Sequence, residues 1–242
     1  MKAIIVCLEC ITNMHVGNGD VNYNIIDNEL EKDPVTGYPT INASGVKGAL
    51  REYFSVDPVL KSKVNEMFGS DERGNSTPGM LKILGAGMIA IPARASKGAA
   101  PYYLVTTNAA LEAFKDQIET FLNKEEVFEP ITAQKGCAVE GIELTAGVRA
   151  CGKELFVIEE KNFRKLALPV MARNKLDNGI SKNLWYEEVV PHKSLFFFPV
   201  LANDKDEALL SEFVKAVRGK VVQFGGNASI GYGLCKVTVM EA

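Results

Sequence analysis

The sequence predicts an α+β protein with a ferredoxin-like βαββαβ core and a large insertion in its middle. Three observations carry this. Apolar residues recur with a strand's period near both ends of the chain, and with a helical period over 44–54 and 204–218. Between the second and third core strands, residues 92–191 have a weaker pattern. Within them, Asp177-Asn178-Gly179 separates two extended arms, the signal for a tight hairpin turn. The chain then reads as a single unit over 1–242, with core segments 1–91 and 192–242 and a hairpin over about 168–187.

Taken in order, residues 2–12 predict a buried strand, with Ile4, Val6, Leu8 and Cys10 on one face and Ile5, Cys7 and Ile11 on the other. Ser44 is the expected N-cap of a helix whose Val46, Ala49, Leu50, Tyr53 and Phe54 form a buried stripe. Residues 69–79 are rich in breakers and predict a surface loop. Residues 80–91 predict the second core strand, and 92–101 a loop carrying Arg94 and Lys97. Gly85-Ala86-Gly87-Met88-Ile89-Ala90 matches a dinucleotide fingerprint, but Pro92 follows where a helix should begin, so the match is rejected. A short strand over 102–107 and a helix over 108–122 come next; 124–165 has no readable pattern. The hairpin arms carry Arg173, Lys175 and Lys182 beside Met171, Leu184 and Trp185. Residues 195–201 predict a core strand, Asn203 or Asp204 caps the last helix, and 233–240 is the closing strand. Trp185 and Phe196–Phe198 are expected in the core.

With 47% hydrophobic and 24% charged residues, the composition is that of an ordinary globular protein. No apolar run approaches the roughly 20 residues that span a bilayer, and the alternating N-terminus does not read as a signal peptide. Five cysteines without framework spacing predict reduced thiols and a cytoplasmic location. Cys7 and Cys10 should face opposite sides of a strand, which argues against a metal knuckle. A net charge of −3 counts against a free-standing nucleic-acid binder, though not against a local basic stripe.

Lys47 and Arg51, four residues apart, project from one side of the first helix. A lysine in a first turn is unfavourable near the positive helix end unless an anion is present, and the N–H groups of Gly45 to Gly48 would attract the same anion. That describes a phosphate seat, with the phosphate belonging to a nucleotide or to a polymer. The alternative is a solvated surface lysine. His15-Val16-Gly17-Asn18-Gly19 forms a glycine loop, and Gly225-Gly226-Asn227-Ala228-Ser229-Ile230-Gly231-Tyr232-Gly233 makes a tight turn whose backbone could pack against a polynucleotide or against 15–19.

No zinc-protease, serine-hydrolase or P-loop motif occurs, and the only histidines are His15 and His192. What remains is a set of acids, Asp20, Asp27, Glu29, Glu31 and Asp33. Most read as a solvated loop. Asp27 follows Ile25 and Ile26, which should tether it to the body, and a carboxylate suits a hard divalent cation.

Together, His15-x-Gly17-x-Gly19, Asp27, Thr36-Gly37-Tyr38-Pro39, Ser44-Gly45-Val46-Lys47-Gly48-Ala49-Leu50-Arg51, Leu184-Trp185-Tyr186-Glu187-Glu188 and the 225–233 turn resemble the RAMP superfamily of CRISPR proteins. More narrowly, they resemble the repeated backbone subunit of type III-B (Cmr) effector complexes. The resemblance implies an RRM-like fold, copies of the chain stacked helically along a guide (crRNA), other Cmr subunits, and a thumb-like hairpin interrupting the guide–target duplex. It also implies cleavage of target RNA at regular intervals, dependent on a divalent metal (Mg²⁺ or Mn²⁺). The cleavage aspartate falls on Asp27, which would hold the metal; for His15 two roles stand open, placing the phosphate or leaving group and packing the loop. RNA contacts fall on Lys47 and Arg51, with Gly17, Gly19, Ser44, Arg94, Met171, Arg173, Gly225 and Gly226 as further candidates. Two departures stand out: Asn42-Ala43 replaces the usual Pro-Gly before Ser44, and Asn28-Glu29-Leu30 replaces an apolar-Pro-apolar run after Asp27. A non-catalytic RNA-binding scaffold and the type III-A counterpart are the alternatives.

Overall fold

The computed structural model describes residues 1–19, 25–72 and 75–241; among the acids named above, Asp20 lies outside them. Strand β1 (Lys2–Cys10) alternates as expected. Ile4, Val6, Leu8 and Cys10 enter one core cluster, while Ile5 and Cys7 enter a second on the opposite face; Ile11, expected on that face, lies past the strand's end and is 43% exposed. Helix α1 (Ala43–Val56) buries Val46, Leu50 and Phe54 in the first cluster. Its start differs from expectation: Asn42 takes the cap position, with no side-chain cap bond, and Ser44 lies inside the helix. The cause is Ile41, which exchanges backbone hydrogen bonds with Ala86 at 3.1 and 2.8 Å and so holds the chain extended until Asn42.

The predicted loop over 69–79 is ordered. A short helix α2 (Val64–Phe68) leads into a hairpin of β2 (Gly69–Glu72) and β3 (Asn75–Pro78). At Gly69 and at Gly79 an added Cβ would lie 2.5 Å from a backbone oxygen, so these glycines serve a tight backbone crossing rather than disorder.

The second core strand is also shifted. Residues 80–91 contain only β4 (Lys82–Ile83) before β5 (Gly87–Lys97) begins, and β5 runs on through Pro92, Arg94 and Lys97. Arg94 is therefore a strand residue, not a loop residue. Proline is tolerated because β5 changes neighbours there: Gly87, Met88 and Ala90 pair with the third core strand, and Ile91 to Arg94 pair with β6 (Tyr102–Thr106). The boundary expected between 91 and 92 falls inside this strand, so the insertion continues the core sheet.

Helix α3 (Asn108–Leu122) is capped by Thr107, whose side chain accepts from the Ala110 N–H, and it buries Leu111, Phe114, Ile118 and Leu122 in the second cluster. The unreadable middle consists of short pieces: β7 (Glu129–Thr132), β8 (Ala138–Val139), β9 (Ile142–Glu143), β10 (Ala146–Ala150), β11 (Lys153–Val157) and one turn of helix α4 (Glu160–Phe163). The hairpin follows as β12 (Val170–Asp177) and β13 (Ile180–Glu188). The chain closes with β14 (Leu195–Ala202), α5 (Glu207–Val217), β15 (Val221–Gln223) and β16 (Leu234–Glu241).

The main sheet has the order β15-β16-β1-β14-β5-β6-β11-β10-β7. Strand β11 joins β6 in parallel, whereas β1 pairs antiparallel with both β14 and β16. Helices α1 and α5 cover one face, with Phe54 and Phe213 stacked at 5.6 Å, and α3 covers the other. No helix among the described residues is long and apolar enough to cross a membrane.

Candidate functional site

The site is built on the root of the β12–β13 hairpin. Asn178 and Gly179 make the turn, both at left-handed φ (50° and 79°), as the Asp-Asn-Gly signal requires. On one hairpin face Arg173 is opposite Trp185, and Met171 opposite Glu187. Glu187 is only 4% exposed, and its carboxylate is fully used. One oxygen accepts from Arg173 and Asn227, each at 3.1 Å, and the other from the Trp185 indole at 2.8 Å. A buried carboxylate is costly without such donors, so this cluster determines how the hairpin leaves the body. The Arg173 guanidinium also lies 5.6 Å from the Trp185 ring and 5.7 Å from that of Tyr232. Trp185, expected in the core, is thus half-buried on the hairpin, while Phe196–Phe198 are buried as expected.

The same strand holds the two candidate catalytic groups. The Tyr186 N–H donates to Asp27 Oδ2 at 2.8 Å, and the Tyr186 carbonyl accepts from the N–H groups of Asp27 and Asn28 at 3.1 Å. His15 Nδ1 bonds the Glu188 carbonyl at 2.7 Å. A carbonyl can only accept, so Nδ1 carries a proton and donates it, leaving Nε2 as the outward nitrogen. Tyr186 and Glu188 are two residues apart, placing the two anchor points about 7 Å from each other along the strand. Of the two residues expected to tether Asp27, Ile25 is 88% exposed while Ile26 is half-buried beside Leu166 and Leu168, and the strand edge adds the hydrogen bonds. The Glu188 carboxylate accepts from the Leu30 N–H at 3.2 Å and pairs with Lys32 at 2.9 Å, closing the loop that follows Asp27.

The glycine segments meet here too. An added Cβ on Gly17 would come within 3.1 Å of His15 Nε2, so glycine keeps that edge of the imidazole clear. The Gly226 N–H donates to the His15 carbonyl at 2.8 Å, and a Cβ on Gly225 would lie 2.3 Å from the same oxygen. Of the two packing partners open for the 225–233 turn, loop 15–19 is therefore the one seen. Gly19 sits at a left-handed φ of 80°, and among the described residues nothing lies within 4 Å of an added Cβ.

His15, Gly17, Asp27, Arg173, Gly225 and Gly226 thus gather around β13. Lys47 and Arg51 line a separate cleft with Ser70, Asp71, Ser76 and Thr77. Arg51 bonds the Gly69 carbonyl and, at 3.1 Å, Asn65 Oδ1, so it braces the β2–β3 hairpin. Lys47, with the helix starting at Ala43, stands in the second turn rather than the first. Met171 is 37% exposed on β12, and Arg94 is exposed on β5. Sequence reasoning missed Glu187 and Glu188 as organising residues. Their signal was two adjacent carboxylates followed directly by the apolar Val189 and Val190, an unusual place for charge.

Residues 7–236 match the RAMP superfamily. The chain belongs to the RAMP superfamily. This RAMP chain is 29% identical, over 288 residues covering all of it and 97% of the relative, to the CRISPR system Cmr endoribonuclease Cmr4 of Pyrococcus furiosus. Its fold is similar to a chain of the Type III-B Cmr-beta complex bound to cognate target RNA, with a TM-score of 0.81, 23% identity, and 99% and 97% of the two chains covered. It is also similar to oligomeric Cmr4 from Pyrococcus furiosus, with a TM-score of 0.70, 25% identity, and 100% and 99% coverage.

Proposed function

We propose that this chain is the repeated backbone subunit of a type III-B CRISPR effector complex, an endoribonuclease that binds guide RNA and cuts complementary target RNA. The observation that carries the reading is the joint anchoring of Asp27 and His15 on β13, at the root of a protruding hairpin, in a RAMP chain matched along its full length by an endoribonuclease. Copies of itself, the other Cmr subunits and both RNAs are its partners, and the cytoplasm is its place.

Two finer readings belong to this proposal. The fourth-first-third-second order of β16, β1, β14 and β5, with α1 and α5 on one face, supports a ferredoxin-like core. The β12–β13 hairpin, anchored at its root through Glu187 and exposing Leu176 and Ile180 near its tip, supports a thumb that wedges between bases.

In the cleavage step a ribose 2′-hydroxyl gives up its proton and attacks the adjacent phosphorus in line. The 2′-O–P bond forms as the P–O5′ bond breaks, leaving a 2′,3′-cyclic phosphate and a 5′-oxygen that takes up a proton. Such a step demands charge stabilisation more than covalent chemistry with the protein. Asp27 is exposed, and its Oδ2 is oriented by the Tyr186 N–H. Among the described residues no three His, Cys, Asp or Glu side chains converge. That donor set fits Mg²⁺ or Mn²⁺ held by one carboxylate with water and RNA phosphates, and it does not fit an all-protein cage. Such an ion, when bound, neutralises developing phosphate charge. His15, buried and bonded to the Glu188 carbonyl, is placed to position the phosphate or leaving group, a role subordinate to that of Asp27.

The test is cutting of a labelled complementary RNA by reconstituted complexes. Asp27→Ala should retain assembly and target binding while cutting falls by orders of magnitude, with EDTA acting alike and His15→Ala acting more weakly. Equal cutting by wild type and Asp27→Ala would leave a scaffold. Replacing residues 172–181 by a short glycine linker should preserve the fold and abolish the regular spacing of cuts.

A further inference from the structure

We propose that a groove beside the hairpin root, carrying Arg94, Arg164 and Lys165, holds the phosphodiester backbone of the target strand as it approaches Asp27. This rests on the reading of Asp27 given above. Two adjoining cavities, of about 600 and 450 Å³, share Ile91, Leu166, Ala167 and Leu168 as walls. Arg94 and Lys165 line the first together with Glu140. Lys32 and Arg164 line the second together with Glu188 and Ile26, the residue next to Asp27.

The charge pattern is what identifies the occupant. Lys32 is committed to Glu188. Arg94, Arg164 and Lys165 are exposed, and none makes an ion pair among the described residues. Neighbouring cations behave differently: Lys161 pairs with Glu159 at 2.6 Å, and Arg149 with both Glu129 and Glu154. Among the described residues the only carboxylates lining the two cavities are Glu140 and the Lys32-paired Glu188, so Arg94, Arg164 and Lys165 leave the groove with an excess of positive charge, which favours an anionic occupant. They are distributed along both sides of the 166–168 strap, which suits a row of phosphates better than one small anion.

The occupant is the target strand rather than the guide because of where the groove lies. It reaches the neighbour of the candidate cleavage carboxylate, whereas the Lys47 cleft shares no lining residue with it. Thr36, Tyr38, Glu140 and Asn162 line it beside the cations, and the cations suit backbone phosphates while base pairing with the guide supplies sequence.

The experiment uses reconstituted complexes carrying Arg164→Gln/Lys165→Gln in every copy, with Lys161→Gln as the control outside the groove. Guide retention, target affinity and its salt dependence are measured by binding, separately from cutting. Guide retention should be unchanged and target affinity about tenfold lower or weaker still. The slope of log K against log salt should fall by roughly 0.7 for each phosphate that a copy no longer neutralises. Unchanged target affinity and slope would overturn the proposal, as would loss of guide in parallel, which would assign the groove to the guide strand. If the double variant fails to fold, Arg94→Gln on the rigid strand β5 reads the same quantities. Because binding is read alone, a complex that binds through the groove but never cuts refutes the cleavage reading and leaves the groove standing.

Discussion

Asp27 and Tyr186 are joined twice: the Tyr186 N–H donates to Asp27 Oδ2 at 2.8 Å, and the Asp27 N–H donates to the Tyr186 carbonyl at 3.1 Å. The candidate cleavage carboxylate is therefore carried by the hairpin strand itself. A displacement of β13 moves Asp27 with it, so the element proposed to part the duplex and the group proposed to cut it act as one mechanical unit.

The root of that unit depends on Glu187. Glu187→Ala leaves Arg173, Asn227 and Trp185 without their shared acceptor and should destabilise the protein by about 2–4 kcal/mol. Glu187→Gln retains an acceptor oxygen and should lose less. Denaturant midpoints measure both; a shift in Glu187→Ala no larger than that of a surface substitution would contradict the hub role.

Lys47 is predicted to hold guide-RNA phosphate from its own cleft. Lys47→Glu should sharply reduce copurifying RNA and disrupt assembly, because the reversed charge recurs in every copy. Neutral Lys47→Gln should flatten the salt dependence of guide binding by roughly 0.7 in log–log slope per copy engaged. RNA content and slope equal to wild type would exclude a phosphate seat.

The contact of the 225–233 turn with His15 yields a matched pair. Gly225→Ala meets the His15 carbonyl at 2.3 Å from a left-handed φ of 77° and should cost about 1–3 kcal/mol. Gly226→Ala, whose added carbon would lie 3.9 Å from the same oxygen, should be nearly neutral. Thermal midpoints of the two variants test the difference, and equal midpoints would contradict the close approach.

Tyr38 supplies a pH dependence. Its hydroxyl donates to Glu160 at 2.5 Å and meets Thr107 at 2.8 Å; burial, then Glu160, pushes its ionisation from the usual 10 up to about 12. The folded state thus holds this proton more tightly than the unfolded chain. Its contribution to stability is present in full below pH 10 and is lost as pH rises through about 12. Burial also pushes Tyr53 up, and the Cys137 contact pushes Tyr103 up, so an alkaline absorbance titration should show a group of late-ionising tyrosines that is smaller by one in Tyr38→Phe. An unchanged late phase in that variant would contradict the assignment.

The chain's periodicity by itself determined β1, α1, α3, β14 and α5, because each buries one continuous apolar stripe whose spacing is a local property. It also determined the hairpin turn, since Asn178-Gly179 tolerates left-handed backbone without help from elsewhere. Motif order identified Asp27, His15 and the glycine segments as candidates. Periodicity missed the continuation of β5 through Pro92, because proline's cost depends on which side has a pairing neighbour, and that is a property of the sheet. It missed the β2–β3 hairpin and the short middle strands for the same reason: strands of two to five residues carry too little pattern, and their pairing partners make them. Only the tertiary structure decided that Asp27 hangs from Tyr186 and His15 from Glu188, across more than 150 residues of chain. A hydrogen bond to a backbone atom leaves no residue-type signature at its partner, so spacing could nominate these side chains but could not say what holds them.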